Sequence, residues 1–186
     1  MGARDIMPFN SPHGGHSRVY RMKVTTVSGL FCGEPVRIAA AGTVTRASNN
    51  AAATNGFFGI AMAPYAASTT KNPETGVAWA DLDCIPVIVP DATSTFIGRY
   101  TVDDSTLGTP SYATIGDAVG IGMATIGGVA NRFCFSDNAS VKLARVVDVL
   151  DARRRSVLQG GGTGVYVVCS FAVGQTQSTT AIAAPA

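Results

Sequence analysis

Apolar residues along this chain fall in short runs, and turn residues separate them. Val19 to Val27 (VYRMKVTTV) is rich in β-branched and aromatic residues, a composition that packs well on a pleated surface. Gly33-Glu34-Pro35 interrupts the chain, Val36 to Ala39 alternates, Gly42 turns it, and Thr43 to Arg46 alternates again. Phe57 to Met62 is a short buried run, and Val77 to Trp79, Cys84 to Val89 and Thr95 to Val102 are further strand candidates. Pro86 weakens the middle one of these or places it at a sheet edge, because proline lacks the ladder N–H. Ala118 to Ala124, Arg132 to Phe135, Val141 to Val149 and Gly164 to Val173 continue the style. Many short strands at regular spacing predict an all-β fold, a small β-barrel or sandwich.

Ser140 to Gln159 fits two periods. Leu143, Val146, Val147 and Leu150 make a helical stripe, whereas Val141, Leu143, Val147 and Val149 make a strand face with Arg145 as its flaw. The abundance of valine favours a strand. A weak internal echo relates Gly59-Ile60-Ala61-Met62-Ala63 to Gly120-Ile121-Gly122-Met123-Ala124. It suggests two related β-subdomains, 18–100 and 101–175, joined near Tyr100 to Thr109, although chance similarity explains short apolar runs equally well. Outside the 18–175 β-domain, residues 1–17 read as an extended N-terminal arm and 176–186 as a C-terminal tail without a core-forming face.

Composition narrows the class. The 186 residues are 46% hydrophobic and only 14% charged, against about 25% charged in typical soluble domains. Such a surface suits a protein held in an assembly. The net charge of +2 gives no field that would gather nucleic acid. Arg153, Arg154 and Arg155 are the one basic run, readable as a solvated turn or as a salt-bridge patch for an acidic partner. Cys32, Cys84, Cys134 and Cys169 match no zinc spacing and read as free thiols in apolar surroundings. The stretches Asn49 to Thr70 and Ala118 to Ala130 are too interrupted or too short to span a membrane, and Met1 to Ser17 has no apolar segment of a signal peptide.

Candidate chemistry is sparse. Both histidines, His13 and His16, lie in the Gly-rich arm, so the body offers no His for a nucleophilic pair, and an H-x-x-H in a solvated arm is a weak metal site. Asp81, Asp83, Asp103 and Asp104 suit turns and strand ends. Gln159 to Gly164 lacks the Lys-Ser/Thr of a phosphate loop, and Gly120-Ile121-Gly122 lacks a third glycine; the GGGTG run reads as a flexible hairpin tip. Trp79 has Tyr65, Phe57 and Phe58 near it in sequence, and Phe57, Phe58 and Trp79 suit a core better than a sugar or base platform. No catalytic, metal or cofactor residue is expected.

Leu30-Phe31-Cys32-Gly33-Glu34-Pro35-Val36, then Gly42-Thr43-Val44, Phe58-Gly59-Ile60-Ala61 and Cys84-Ile85-Pro86-Val87-Ile88-Val89 follow one another in order. This series resembles the head decoration (cement, or auxiliary capsid) proteins of tailed bacteriophages, in which G-[DE]-P-V, G-x-V, G-I-A and V-x-V strands wrap a small barrel. Ile115-Gly116-Asp117-Ala118-Val119-Gly120-Ile121 and the closing Val165-Tyr166-Val167-Val168 are similar to phage virion segments. The resemblance implies a non-enzymatic structural protein on the capsid surface of a virion assembled in the host cytoplasm. Its partners would be the major capsid protein shell and sister subunits in a trimer or dimer, with no nucleic acid and no membrane. The rivals are another virion subunit (tail tube, head fibre or minor capsid protein), a glycan-binding β-module, and, least of all, a small hydrolase. Partner contacts are expected at Met7, Pro8 and Phe9, an apolar cluster without periodicity that should not bury itself in its own core but should order on a neighbour, and at Arg153, Arg154 and Arg155.

Overall fold

The computed structural model describes residues 6–9, 18–24, 30–39, 42–48, 57–65, 76–77, 83–91, 94–103, 106–157 and 162–172. Among them it is all-β, with two sheets and one single-turn 3-10 helix at Tyr112–Thr114. The strands are β1 (Ile6–Phe9), β2 (Arg18–Lys23), β3 (Pro35–Ile38), β4 (Val44–Arg46), β5 (Gly59–Ala61), β6 (Cys84–Val89), β7 (Thr95–Thr101), β8 (Ala118–Ile126), β9 (Val129–Ser136), β10 (Ala144–Leu150) and β11 (Tyr166–Phe171).

The smaller sheet has the order β2-β6-β5-β3-β4, all antiparallel. It curls far enough that Val24, just after β2, bridges Val44 in β4. Side chains alternate across a strand, and in β5 and β6 both sets are buried, while edge strand β2 is largely exposed. Val36, Val44, Phe58, Ala61, Ile85, Val87 and Val89 fill one interior. Phe57, Ile60 and Ile88, the alternate positions, enter a second interior that belongs mainly to the larger sheet.

The larger sheet has the order β1-β7-β11-β10-β8-β9, and β9 returns to β7 in a short parallel pairing, Tyr100 with Phe135 and Thr101 with Ser136. These returns are brief, so the architecture is a sandwich of two coiled sheets and not a closed barrel. Phe171 lies at the centre of the shared core: it stacks on Phe57 at 5.0 Å, meets Phe96 edge-on at 5.3 Å, and has Phe135 at 6.1 Å.

Arg46, at the end of β4, ties the sheets together on their rim. It donates to the buried Glu34 carboxylate at 2.8 Å and to the Asn131 carbonyl at 3.0 Å, and it lies 5.0 Å from the Phe133 ring centroid. Asn131 has φ 59°, a left-handed conformation that asparagine tolerates, and this turns its carbonyl towards the guanidinium. The β8–β9 hairpin closes on Gly127 and Gly128 with φ 59° and 80°, as a two-residue turn matched to strand twist requires.

Three expectations need correction. Pro86 does not mark an edge, since β6 lies between β2 and β5. The Met62 N–H reaches the Pro86 carbonyl at 2.9 Å, and proline has no N–H to return. The Cys32 thiol donates to the Met62 carbonyl instead, at 3.1 Å, and takes up the acceptor that proline leaves open. Second, Ser140–Gln159 holds strand β10, but neither single period describes it. A bulge lies between Val146 and Asp148, so Ala144 and Val146 face inward before it and Val149 after it, while Val147 is 44% exposed. The extra residue switches the parity. Third, Gly160 and Gly161 of the GGGTG run lie outside the described residues, but its end is anchored: Thr163 bridges Ser111, the Gly164 N–H reaches the Pro110 carbonyl, and Gly164 has no room for a Cβ beside Val149.

The sheets also divide the chain unlike the 18–100 and 101–175 halves, because β7 and β1 belong to the larger sheet. The echoed glycines share one duty: a Cβ on Gly59 would strike the Ile88 carbonyl, and one on Gly120 the Val141 carbonyl. Val77 lies in an exposed bend; Trp79, Asp81, the 25–27 end of the first predicted strand and the 176–186 tail lie outside the described residues.

Phe171→Ala should lower the unfolding free energy by about 3–5 kcal/mol. Val147→Ser, on the exposed bulge, should change it by less than about 0.5 kcal/mol. Urea titrations followed by far-UV circular dichroism check both values.

Candidate functional site

The described carboxylates are occupied in turns. Asp91 Oδ1 accepts the Ser94 N–H at 2.8 Å, Asp103 Oδ1 the Thr106 N–H at 2.7 Å, and Asp148 Oδ1 the Val149 N–H at 2.8 Å. Asp83 follows the strand-end expectation: it sits just before β6, and its carbonyl accepts the Val24 N–H. Among the described residues no three His, Cys, Asp or Glu side chains gather as metal ligands, and no helix is long and apolar enough to cross a membrane. His13, His16 and Asp104 lie outside the described residues.

None of the four cysteines forms a disulfide. Cys134 and Cys169 are buried, whereas Cys32 and Cys84 are half-buried. Burial pushes the Cys169 thiol well above its ordinary range, because a thiolate there would lose its hydration. Tyr100 is pushed up to about 12 by burial, then by the charges of Asp137 and Asp117 and a hydrogen bond to Asp137.

Met7, Pro8 and Phe9 are placed differently from the expectation. They do not stand free to order on a neighbour. They form β1, which adds antiparallel to the edge of this chain's own β7, with Ile6 opposite Gly98 and Phe9 opposite Thr95. Ile6 is wholly buried in the main core, and it is the residue that the reading of an aperiodic arm missed. Gly98 makes room for it: a Cβ there would stand 3.0 Å from the Phe135 ring and 3.4 Å from Ile6. Four residues are too few to show a period, so one buried isoleucine decides what periodicity could not. Met7 and Phe9 pack half-buried over Ile97, Leu150 and Val168, beside Tyr166. The Ile6 N–H points away from β7 to the Gly33 carbonyl at 3.0 Å. By alternation Pro8 faces the same outer side, where a residue without an N–H blunts the edge.

The three arginines follow β10 in one turn. Asp151 Oδ1 accepts the N–H groups of Arg153 and Arg155 at 2.7 and 2.9 Å, and its Oδ2 takes the Arg155 guanidinium through Nε and Nη2 at 3.0 and 2.8 Å. These donors, the Arg155 N–H foremost, hold the Asp151 carboxyl below its ordinary range. Arg155 is therefore engaged within its own turn. Arg154, with φ 60°, projects differently, and its guanidinium lies 6.0 Å from the Tyr166 ring centroid. Arg99, directly opposite Tyr166 in the β7–β11 register, lies 5.4 Å from the same ring. Its Nε is buried without a hydrogen-bond partner.

The apolar cluster of β1 and one of the three predicted arginines thus meet on the outer face of the larger sheet, around Tyr166. Arg99 joins them, and the sequence gave no sign of it, since it stands alone inside a strand. No protein-family model matches the chain, and no curated protein matches it at a significant level.

Deleting residues 1–9 should destabilise the fold about as much as Ile6→Ala, by about 2–5 kcal/mol. Unchanged melting would return this segment to the role of a passive arm. The raised Cys169 and Tyr100 values fix the sign of an alkaline effect. Both groups stay protonated in the folded state after the unfolded chain has begun to ionise, so their stabilisation is complete below about pH 8.5. It falls as the pH rises towards 12. Cys169→Ala should remove the earlier part of that fall and Tyr100→Phe the later part, in denaturation midpoints measured from pH 8 upward. Thiol counting should find four groups in denaturant, with Cys134 and Cys169 slow to react in the native protein.

Proposed function

We propose that this chain is an auxiliary capsid protein of a tailed phage, which binds the outside of an assembled shell and reinforces it. The observation that carries this reading is the placement of the motifs behind the resemblance. G-E-P-V, G-T-V, G-I-A and V-I-V mark β3, β4, β5 and β6, which are neighbours in one coiled sheet. Their glycines have backbone duties: Gly33 and Gly42 have φ 95° and 70°, and Gly59 has no room for a side chain. The resemblance therefore rests on residues that define a local fold.

The surface agrees with a life in an assembly. Charged residues are few, while Val19, Tyr20, Phe31, Val102, Tyr112 and Val129 are exposed. Single exposed apolar residues are ordinary; together with 14% charge they favour a protein with further surface to cover. Reinforcement needs no catalysis. A subunit that binds the closed shell better than its dissociated parts stabilises the shell by mass action, by RT ln(1 + [L]/Kd). Binding as a trimer or dimer at a symmetry axis multiplies the contacts for each attachment. In this reading the chain resides on the capsid surface and uses no cofactor.

Shells assembled from the major capsid protein of the same genome, mixed with the purified chain and pelleted through sucrose, should carry it at fixed stoichiometry and resist heat better than bare shells. A chain that stays in the supernatant at micromolar concentration would sink this reading. Rings or tubes of the chain alone in electron micrographs would point to a tail subunit instead.

A further inference from the structure

Arg99 and Arg154 stand together on the outer sheet face against one aromatic ring. Ion pairs join Arg46 with Glu34, Lys142 with Asp137, and Arg155 with Asp151. Arg99 and Arg154 have no carboxylate among the described residues, yet both guanidiniums gather on the single ring of Tyr166, at 5.4 and 6.0 Å. Two like charges on one ring repel each other, and the buried Arg99 Nε is a donor without an acceptor. Native structures rarely leave a buried donor unmet. Stacking holds the Arg99 side chain in place, so little rotamer freedom remains to be lost when a ligand arrives.

We propose that Arg99 and Arg154, gathered on Tyr166, form a receptor for the carboxylate side chains of an acidic segment on the capsid shell. The inference rests on the reading of the chain as a shell-binding protein and names the attachment chemistry. Carboxylate matches guanidinium in plane and in spacing, through paired N–H donors. The surroundings favour a protein ligand. Tyr166, Met7 and Phe9 lie half-buried over Ile97, Leu150 and Val168 on the same sheet face, and Met, aromatic residues and Arg are the types enriched at protein interfaces. A nucleic acid would want a basic track with interleaved aromatics, whereas the chain's net charge is only +2. Edge strand β1 extends the same sheet face with Met7 and Phe9.

The test compares the full chain with Arg99→Gln/Arg154→Gln, and with Lys142→Gln as a charge-loss control, in shell pelleting over a range of salt concentrations. The double variant should bind at least about tenfold more weakly and lose much of its salt dependence. Its melting temperature should match the wild type, and the control should bind normally. If the wild type pellets with shells and the double variant does so equally well at every salt concentration, the receptor is overturned while the shell-binding reading stands. If the wild type does not pellet, a fluorescent glutamate-rich peptide decides the matter on the isolated protein. Saturable binding that the double variant loses upholds the receptor although the shell reading fails; no binding overturns both. Binding of a duplex DNA oligonucleotide but not of the peptide, again lost in the double variant, overturns the carboxylate assignment.

Discussion

Strands β5 and β6 at the centre of the smaller sheet are buried on both faces, and the other features follow from that constraint. A strand with one wet face can alternate apolar and polar residues; a strand that walls two interiors cannot. Phe57-Phe58-Gly59-Ile60-Ala61 and Ile85 to Val89 are apolar throughout for this reason, with Phe57, Ile60 and Ile88 entering one core and Phe58, Ala61, Val87 and Val89 the other. Full burial of one such side chain contributes about 1.5–3 kcal/mol. The Glu34–Arg46 pair lies within the smaller sheet, and Arg46 reaches the larger one through the Asn131 carbonyl and the Phe133 ring; Glu34 is wholly buried, so desolvation offsets much of what the pair gains. The shared wall therefore holds the sheets together, and Arg46 sets the rim of the contact.

That constraint also explains what was legible in the sequence. Runs that are apolar at every position are readable without a period, and β6 has the bounds its residues suggest. The alternating Val36 to Ala39 and Thr43 to Arg46 announced β3 and β4. What escaped was long-range or very short. Strand β1 has four residues, and its role depends on one isoleucine fitting over Gly98. The parity switch in β10 depends on a bulge against β11, which no local pattern encodes. Assignment of β7 to the larger sheet is a matter of topology. The Gly127-Gly128 hairpin could have been read, since two adjacent glycines between apolar runs are a strong turn signal. Of the six residues expected to meet a partner, the structure gathers Met7, Phe9 and Arg154 on one face, leaves Pro8 to guard an edge, leaves Arg153 exposed, and holds the exposed Arg155 against Asp151.

Pro86 shows how such a fold accommodates a local fault. A proline between two paired strands removes one donor, and an unmet buried carbonyl costs about 1–3 kcal/mol. Here the open acceptor is the Met62 carbonyl, just past the end of β5, and the chain returns through the Cys32 turn at that point. A thiol is a weak donor, but it is small and needs no charge, so it satisfies the carbonyl without bringing water into the sheet. Cys32 therefore has a structural duty at a half-buried place. This accounts for a cysteine in a turn where packing alone would accept alanine.

The distribution of charge follows the same economy. A chain with 12 acidic and 14 basic residues has few carboxylates to spare, and turns take several of them. Asp91, Asp103 and Asp151 each satisfy backbone donors that a glycine-rich β protein would otherwise leave open. A carboxylate bound in this way is poorly placed to meet a distant arginine. Arginines on the sheet faces must then use their other chemistry, stacking upon aromatic rings, as Arg46 does on Phe133 and Arg99 on Tyr166. Stacking satisfies the plane of the guanidinium and leaves its edge donors open. Arg46 spends its edge on Glu34 and the Asn131 carbonyl. The Nε of each arginine is buried without an acceptor, but Arg99, unlike Arg46, has no carboxylate partner among the described residues, so the arrangement that closes one rim leaves the other chemically incomplete.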